Sequence, residues 1–459
     1  MKKWLVLTLI MLPWMGIAQS NKPNIIFILT DDHRWDALGY AGNKIIQTPV
    51  MDDLAKKGIY FKNAFVTTPI CAASRASIIT GMYERTHQYT FGQGDIKPGY
   101  VAQSYPVMLK LAGYYTGFYG KFGINYAGFS SLFDQGESYD RDDKLKDYRG
   151  YFYKKLGKDS VHLSRYTGQK AMDFISQAPK DKPFCLSLSF SAPHAHDPSE
   201  QQYFWQPEVD HLYRDVTIAP PIMATEADFL AQPEYVRTGE NRTRWYWRFD
   251  TPEKYQRSVK GYYRMISGVD VEIGKIRKVL EEKGLDKNTV IIVMGDNGYF
   301  LGERQLAGKW LMYDNSLRVP MIVYDPRNSK HQDISDEVLN IDIAPTIFGF
   351  AGLPIPNSWQ GQNLSSYVQG KRPAKSRKDF IVEHLWKVKI IASSEGIRSK
   401  QWKYFRYRDH LDREELYDLQ ADPLEKNNLA NEPKFKKVLN QMRQKLANKV
   451  ASLEGQRLP

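Results

Sequence analysis

Two doublets of oxygen-bearing side chains, Asp31-Asp32 and Asp296-Asn297, each follow directly on a short apolar run. Carboxylate and amide oxygens are the donors that a hard cation such as Ca²⁺ or Mg²⁺ selects, while softer metals call for more His or Cys. One Asp after a strand is an ordinary turn or helix-cap residue. Two doublets closing two buried runs favour a metal instead. Lys121 follows the run at 114–119, His194 and His196 follow 184–191, and Lys309 lies in Ala307-Gly308-Lys309-Trp310. Singly these read as solvated lysines and structural histidines. Gathered around an acidic metal cluster they describe a site for an anionic, oxygen-rich group such as phosphate or sulfate.

A nucleophile candidate stands in Pro69-Ile70-Cys71-Ala72-Ala73-Ser74-Arg75, with Gly81 ten residues beyond Cys71. Pro69 suits the turn before a helix and Gly81 its C-terminal cap. Cys71 then falls at the helix N-terminus, where backbone N–H groups favour negative charge. Arg75, four residues on, shares its face and can hold either that side chain or an anionic substrate. The residues alone leave two readings open, a reactive thiolate and a plain cysteine packed under the sheet.

The elements that must position these groups are short continuous apolar runs at 24–29, 114–119, 184–190, 290–294 and 321–324, which read as strands buried on both faces. Helical patterns lie between them at 51–57, 105–112, 166–177 and 252–283. Strands alternating with helices predict a large, mostly parallel α/β sheet flanked by helices, and in such sheets ligands bind beyond the carboxyl ends of the strands. From about residue 371 the texture changes to short aromatic and charged strands, such as 402–408. An amphipathic helix follows, presenting Phe435, Val438, Leu439, Met442, Leu446 and Val450 on one face. The expected organisation is a segment 1–18 for export, a main domain over 19–370 and a smaller α+β subdomain over 371–459. Residues 130–161 and the Trp-rich stretch 242–250 are expected to be surface insertions.

Composition bounds the function. The 459 residues include 64 Lys plus Arg, 52 Asp plus Glu and two cysteines. Two cysteines exclude a disulfide scaffold and a four-cysteine zinc site. A mean hydropathy of −0.52 excludes a polytopic membrane protein. The formal charge of +12 favours acidic partners, but no basic run or nucleic-acid module accompanies it. Lys2 and Lys3, an apolar run over 4–12 and Gly16-Ile17-Ala18 form a secretory signal peptide. The chain is therefore expected to be exported, to the periplasm or beyond, with no stable membrane insertion once the signal is cleaved.

The stretch Cys71-Ala72-Ala73-Ser74-Arg75 resembles the signature of the formylglycine-dependent sulfatases of the alkaline-phosphatase superfamily: Cys, any residue, Pro or Ala, any residue, Arg. Asp31-Asp32, Gly120-Lys121, Ala192-Pro193-His194, Asp296-Asn297-Gly298 and Gly308-Lys309-Trp310 follow in family order, and the resemblance extends to Glu415-Leu416-Tyr417-Asp418-Leu419. It implies an α/β sulfatase fold in which a maturation enzyme oxidises Cys71 to formylglycine. The hydrated aldehyde has two hydroxyls, one to attack sulfur from the metal and one to expel sulfate afterwards. Asp31, Asp32, Asp296, Asn297 and the converted Cys71 would hold the cation, usually Ca²⁺ in this family, with Mg²⁺ an alternative. Arg75 would orient the hydrate, Lys121 and Lys309 would bind sulfate oxygens, and His194 would protonate the leaving oxygen, with His196 as its alternative. One position departs from the family: Gly123 stands where a His often follows the Gly-Lys motif.

Export and an aromatic content of 13% suit a sulfated carbohydrate, although aromatic residues also fill large cores. His384, Arg398 and Arg406 are expected to reach the rim and read sugar hydroxyls or a carboxylate. Candidate substrates are fragments of algal polysaccharides, such as ulvan or carrageenan, or of glycosaminoglycans. The alternatives are a phosphomonoesterase or phosphodiesterase on the same scaffold, and a secreted glycan-binding protein in which Cys71 is never converted.

Overall fold

Five apolar runs become strands because both of their faces are covered. In the first, Asn24–Thr30, Ile25, Phe27 and Leu29 join the hydrophobic cluster on one side of the sheet, while Ile26 and Ile28 join the cluster on the other. Thr289–Gly295 alternates in the same way, with Val290, Ile292 and Met294 facing one layer and Ile291 and Val293 the other. A strand buried on both faces has no polar face to show, so its sequence reads as an uninterrupted apolar run. Truncating a fully buried side chain such as Ile26 to Ala costs about 2–5 kcal/mol.

The computed structural model describes residues 22–139, 152–197, 199–328, 330–373 and 376–458. Among these, nine strands form the main sheet. Its order is Arg318–Val319, Ile59–Phe65, Met321–Tyr324, Thr289–Gly295, Asn24–Thr30, Phe184–Phe190, Tyr115–Gly120 and Gln135–Ser138, with Gln332–Leu339 also paired to Ile59–Phe65. The central strands are parallel. Thr30 lies opposite Gly295 on one side and Phe190 on the other, and Ser189 lies opposite Gly120. Four carboxyl ends therefore share one edge. Only the pairings of the short strands Arg318–Val319 and Met321–Tyr324 are antiparallel in this sheet.

The helices predicted between strands are present as Pro49–Lys57, Tyr105–Leu111, Leu163–Gln177 and Pro252–Glu282. Cys185 is buried in the core, and burial pushes its thiol up to about 12, which leaves it inert. Beyond the main sheet, Asp379–His384, Ser394–Ser399, Trp402–Tyr407 and His410–Asp418 form a four-stranded antiparallel sheet. The helix Lys436–Glu454 buries Leu439, Met442, Leu446 and Leu453. This smaller unit is joined to the main sheet by buried charge. Asp314 accepts from Arg398 at 2.9 Å and from Lys403 at 2.5 Å, and Lys403 also meets Glu425 at 2.5 Å.

Two expectations need correction. Gln135–Ser138, expected in a surface insertion, is a strand of the main sheet, paired in parallel with Tyr115–Gly120. Its sequence gave no sign of this because an edge strand needs no continuous apolar run. Residues 242–250 are not a loose insertion either: Glu240–Arg248 is a helix with Asn241 and Arg248 buried. Residues 140–151 and the leader segment 1–18 lie outside the described residues.

Candidate active site

The carboxyl edge is held in place by the sheet's own hydrogen bonding. The Asp31 amide donates to Ala192 O at 3.1 Å, the Asp296 amide to Thr30 O at 2.9 Å, and the Lys121 amide to Ser189 O at 2.9 Å. Asp32 takes φ +64°, a left-handed conformation that Asp tolerates better than most residues, and its amide donates to Asp296 Oδ1 at 3.0 Å. Gly120, at φ +118°, has no room for a side chain, since a Cβ there would lie 1.9 Å from Ser189 O. That close approach turns the chain so that Lys121 enters the site.

Cys71 is the first residue of the helix Cys71–Thr80, and every residue of that helix is buried. Ile70 precedes it in extended conformation with no side-chain cap, so the N–H groups of the first turn are left for a ligand. One turn along, Arg75 places Nε 2.9 Å and Nη2 2.8 Å from Asp296 Oδ2. Its Nη1 donates to Lys121 O and Ser189 Oγ, both at 2.5 Å. The departure at Gly123 has a steric reason: at φ +68° a Cβ would stand 2.8 Å from Arg75 Cδ. Arg75 fills the space that a His at this position would need.

Three carboxylates thus meet three cations in one buried cluster. Lys121 Nζ lies 2.6 Å from Asp31 Oδ2, Lys309 Nζ contacts Asp32 Oδ1 and lies 3.8 Å from Asp31 Oδ1, and Arg75 bridges Asp296 and Asp31. Burial alone would raise the Asp31 carboxyl, but Lys121, His194, Lys309 and Arg75 together hold it well below the usual carboxylate range. Asp296 is pushed up to about 6 by burial and by the charge on Asp31. For Lys309, burial is outweighed by Asp32, Cys71 and the other carboxylates, and its pKa rises. His194 Nε2 is 3.7 Å from Asp32 Oδ2, its Nδ1 lies 2.6 Å from Ala195 O, and burial lowers its pKa to about 4.

Metal fit rests on the donor set and on two orphaned atoms. Asp31 Oδ1 and Asn297 Oδ1 are buried without a hydrogen-bond partner, a costly state unless something else binds them. Asp31, Asp32 and His194 offer ligand atoms within 4.8 Å of one another. A mostly oxygen set of this kind suits Ca²⁺ or Mg²⁺.

Asp31, Asp32, Arg75, Lys121, His194, Asp296 and Lys309 converge by these contacts, Asn297 joins them by donating Nδ2–H to Asp32 Oδ1 at 2.7 Å, and Cys71 heads the helix that carries Arg75. The remaining candidates do not join them. His196 is buried with its ring packed near Phe152 and Phe204, at centroid distances of 5.7 and 6.3 Å. His384 ends its strand fully buried, its pKa lowered to about 3 by burial. Arg398 is occupied by Asp314 and Glu337 and lies over the Phe65 ring at 3.9 Å. Arg406 is paired with Glu395 at 2.7 Å. Arg398 is turned from the rim toward the main sheet, where it meets Glu337 and the Phe65 ring, and His384 lies buried with its ring centre 6.4 Å from that of Trp386.

Sequence reasoning missed the brace behind the site. Asn241 Nδ2 donates to Ala307 O and Lys309 O, each at 2.9 Å. Arg244 pairs with Asp197 at 2.6 Å and lies 4.6 Å from the Trp310 ring centre, and the buried Arg248 contacts the same Asp197. The helix Glu240–Arg248 therefore grips both the Lys309 turn and the His194 loop. The available signal was Asn241, Arg244 and Arg248 at i, i+3 and i+7, one face of a helix.

A parallel-centred α/β sheet with clustered carboxylates and cations at its carboxyl edge is the arrangement of a metal-assisted hydrolase acting on an anionic, oxygen-rich ester. The sulfatase family model matches residues 23–353, so this chain belongs to the sulfatase family and is a sulfuric ester hydrolase. A second model, N-sulphoglucosamine sulphohydrolase, C-terminal, matches residues 302–452. An N-acetylglucosamine-6-O-sulfatase of Bacteroides thetaiotaomicron is 28% identical, over 93% of this chain and 86% of the relative. An ulvan-active sulfatase of Formosa agariphila is 26% identical, over 95% of this chain and 82% of the relative. A solved structure of a protein in complex with its substrate D-glucosamine-2-N,6-O-disulfate aligns with TM-score 0.74 and 25% identity, covering 95% of this chain and 98% of that one. The phosphonate monoester hydrolase of Agrobacterium radiobacter shares the fold at TM-score 0.75 and 20% identity, over 95% and 96% of the two chains.

Proposed function

We propose that this sulfatase is exported and removes a sulfate ester from a sulfated carbohydrate, with Cys71 converted to formylglycine and a divalent cation held by Asp31, Asp32, Asp296 and Asn297. The observation that carries the reading is the buried cluster of three carboxylates and three cations beside the Cys71 helix, in which Asp31 Oδ1 and Asn297 Oδ1 lack a hydrogen-bond partner. The relatives that act on N-acetylglucosamine sulfate and ulvan, and the structure holding a disulfated glucosamine, support the carbohydrate.

A cation held by Asp31, Asp32, Asp296 and Asn297 would supply positive charge to the ester, and Cys71 as hydrated formylglycine would supply the nucleophile. The chain's own residues do the rest. Lys121 and Lys309, already aligned by Asp31 and Asp32, turn their ammonium groups to the sulfuryl oxygens as charge develops there. Arg75 is locked by Asp296, Ser189 and Lys121 O, so it fixes the first helical turn without reorganising. His194 donates Nδ1–H to Ala195 O, so its Nε2 takes up a proton only when the ring becomes cationic, and that proton serves the leaving sugar oxygen. Burial keeps this ring neutral at pH 7, and the negative charge of an arriving sulfate favours its protonated form.

The test compares turnover of 4-nitrophenyl sulfate and 4-nitrophenyl phosphate by protein from a host that matures cysteine, alongside peptide mass spectrometry at residue 71. Expected are a converted Cys71, preference for the sulfate, and loss of turnover in Cys71→Ala with the fold retained. An unmodified cysteine in active protein, or preference for the phosphate ester, overturns the reading.

A further inference from the structure

Beside the nucleophile helix, and outside the cluster described above, lies a cavity of about 550 Å³ between the 88–93 loop and the 385–387 segment. Its lining combines two chemistries. Phe91 and Trp386 form a tilted aromatic pair with ring centres 5.4 Å apart. Lys387, Arg408 and Arg457 line the same cavity. Its lining acid, Glu84, is buried, and burial with the charge of Glu383 pushes its carboxyl up to about 8, so it adds little negative charge at neutral pH. Lys387 and Lys389 are both exposed on the turn that Val388 and Ile391 close.

The cavity is tied to the catalytic edge. Phe91, Trp386 and Val388 pack against the small apolar cluster of Ile70, Ala73, Trp310 and Ile391. Ile70 immediately precedes Cys71, Trp310 immediately follows Lys309, and the Trp310 amide donates to Pro69 O at 3.0 Å. One aromatic layer therefore separates the cavity from the residues adjoining the nucleophile and the sulfate-binding lysine.

We propose that this cavity is an outer subsite for an anionic sugar residue of the substrate, one that bears a sulfate or carboxylate beyond the ester being cut. The proposal rests on the sulfatase reading above and narrows its substrate class to acidic oligosaccharides. Trp386 and Phe91 offer flat apolar faces to the ring, and an aromatic face carries much contact area at little conformational cost. Lys387 meets the anion, joined by Arg408, which also lies 3.8 Å from Glu395. Gly92 takes φ +72°, a left-handed conformation that glycine adopts without strain, and so turns the loop that carries Phe91.

The experiment uses a heparin-derived tetrasaccharide as probe and 4-nitrophenyl sulfate as a substrate too small to span both places. Tetrasaccharide affinity is measured by calorimetry on Cys71→Ala protein, with and without Trp386→Ala or Lys387→Gln/Arg408→Gln. Truncation of a central aromatic anchor weakens binding by about tenfold or more. Expected is that loss in each variant, with 4-nitrophenyl sulfate turnover on the Cys71 background kept within about twofold. The Lys387→Gln/Arg408→Gln pair lies at the cavity surface and keeps the test valid if Trp386→Ala fails to fold. Unchanged affinity in that pair, equal losses on both probes, or no tetrasaccharide binding by a protein that still hydrolyses 4-nitrophenyl sulfate overturns the subsite. A mature protein that hydrolyses neither 4-nitrophenyl sulfate nor the tetrasaccharide's sulfate esters overturns the sulfatase reading itself.

Discussion

Asp197→Asn should destabilise the protein far more than a typical surface substitution. Arg248 has a side chain 0% exposed, its Nε and Nη1 have no hydrogen-bond partner, and its Nη2 contacts Asp197, which is 14% exposed. At contact distance a full charge pair is worth about 4 kcal/mol at an effective dielectric constant near 20. Removing one partner of a buried pair costs about 3–5 kcal/mol, because the other charge is stranded. Replacing Asp197 and Arg248 with apolar side chains removes the penalty at Arg248, while Arg244, the other partner of Asp197, keeps Glu240 at 2.9 Å. Asp197→Asn should therefore lower the thermal midpoint by roughly 5 °C in a chain of this length, and Asp197→Leu with Arg248→Met should recover most of it. The sign with pH is also set. Burial raises the Asp197 carboxyl, but Arg248 and Arg244 hold it well below its ordinary value of 3.8. The stabilisation is present above that value and lost as pH falls below it, so the deficit of Asp197→Asn should be full at neutral pH and shrink in acid. Calorimetric melting across pH reads this directly. A midpoint within about one degree of wild type, or a double variant no better than the single, would show that Arg248 does not depend on Asp197 for its burial.

Lys309→Met should reduce kcat/KM for an aryl sulfate by roughly 10²–10³ through loss of a buried cation at the developing charge; steady-state kinetics on folded protein check it. Asn241→Leu leaves Ala307 O and Lys309 O without their 2.9 Å donor, at a cost of about 1–3 kcal/mol per stranded acceptor, and a urea titration should show it together with lowered kcat. Glu84→Gln should gain stability relative to wild type as pH rises from about 4.5 to 8, because the buried carboxyl is raised to about 8 and wild type alone must resist ionisation there. Chelation with EDTA should abolish aryl sulfate turnover, and added Ca²⁺ or Mg²⁺ should restore it.

Much of the fold was legible because doubly buried parallel strands carry an unmistakable run of apolar residues. The predicted strand at 24–29 differs from Asn24–Thr30 by one residue, and the predicted helix at 252–283 differs from Pro252–Glu282 by one. Ile59–Phe65 escaped notice because Lys62 and Asn63 interrupt its run where the strand is exposed, and Gln332–Leu339 because exposed Asp333 and Ser335 and a buried Glu337 break its run. The chemistry of the site was legible for a related reason. A strand that ends in Asp-Asp, Gly-Lys or Asp-Asn must deliver those residues to the sheet's carboxyl edge, whatever the loops do.

Strand direction carries Asp31, Asp32, Lys121, His194, Asp296 and Asn297 to that edge, so the sequence alone placed them there, and the resemblance of the Cys71–Arg75 motif supplied the class of reaction. Tertiary structure decided everything that depends on which face a side chain takes and what stands opposite. It turned Arg398 inward to Asp314 and Glu337, set His196 among aromatic rings, and filled the place of the absent family His at Gly123 with the Arg75 side chain. It also recruited Asp197, Asn241 and Arg248 as a brace. These pairings join residues distant in sequence, such as Asn241 with Lys309 and Arg248 with Asp197, and only the packed chain brings the partners within hydrogen-bonding reach.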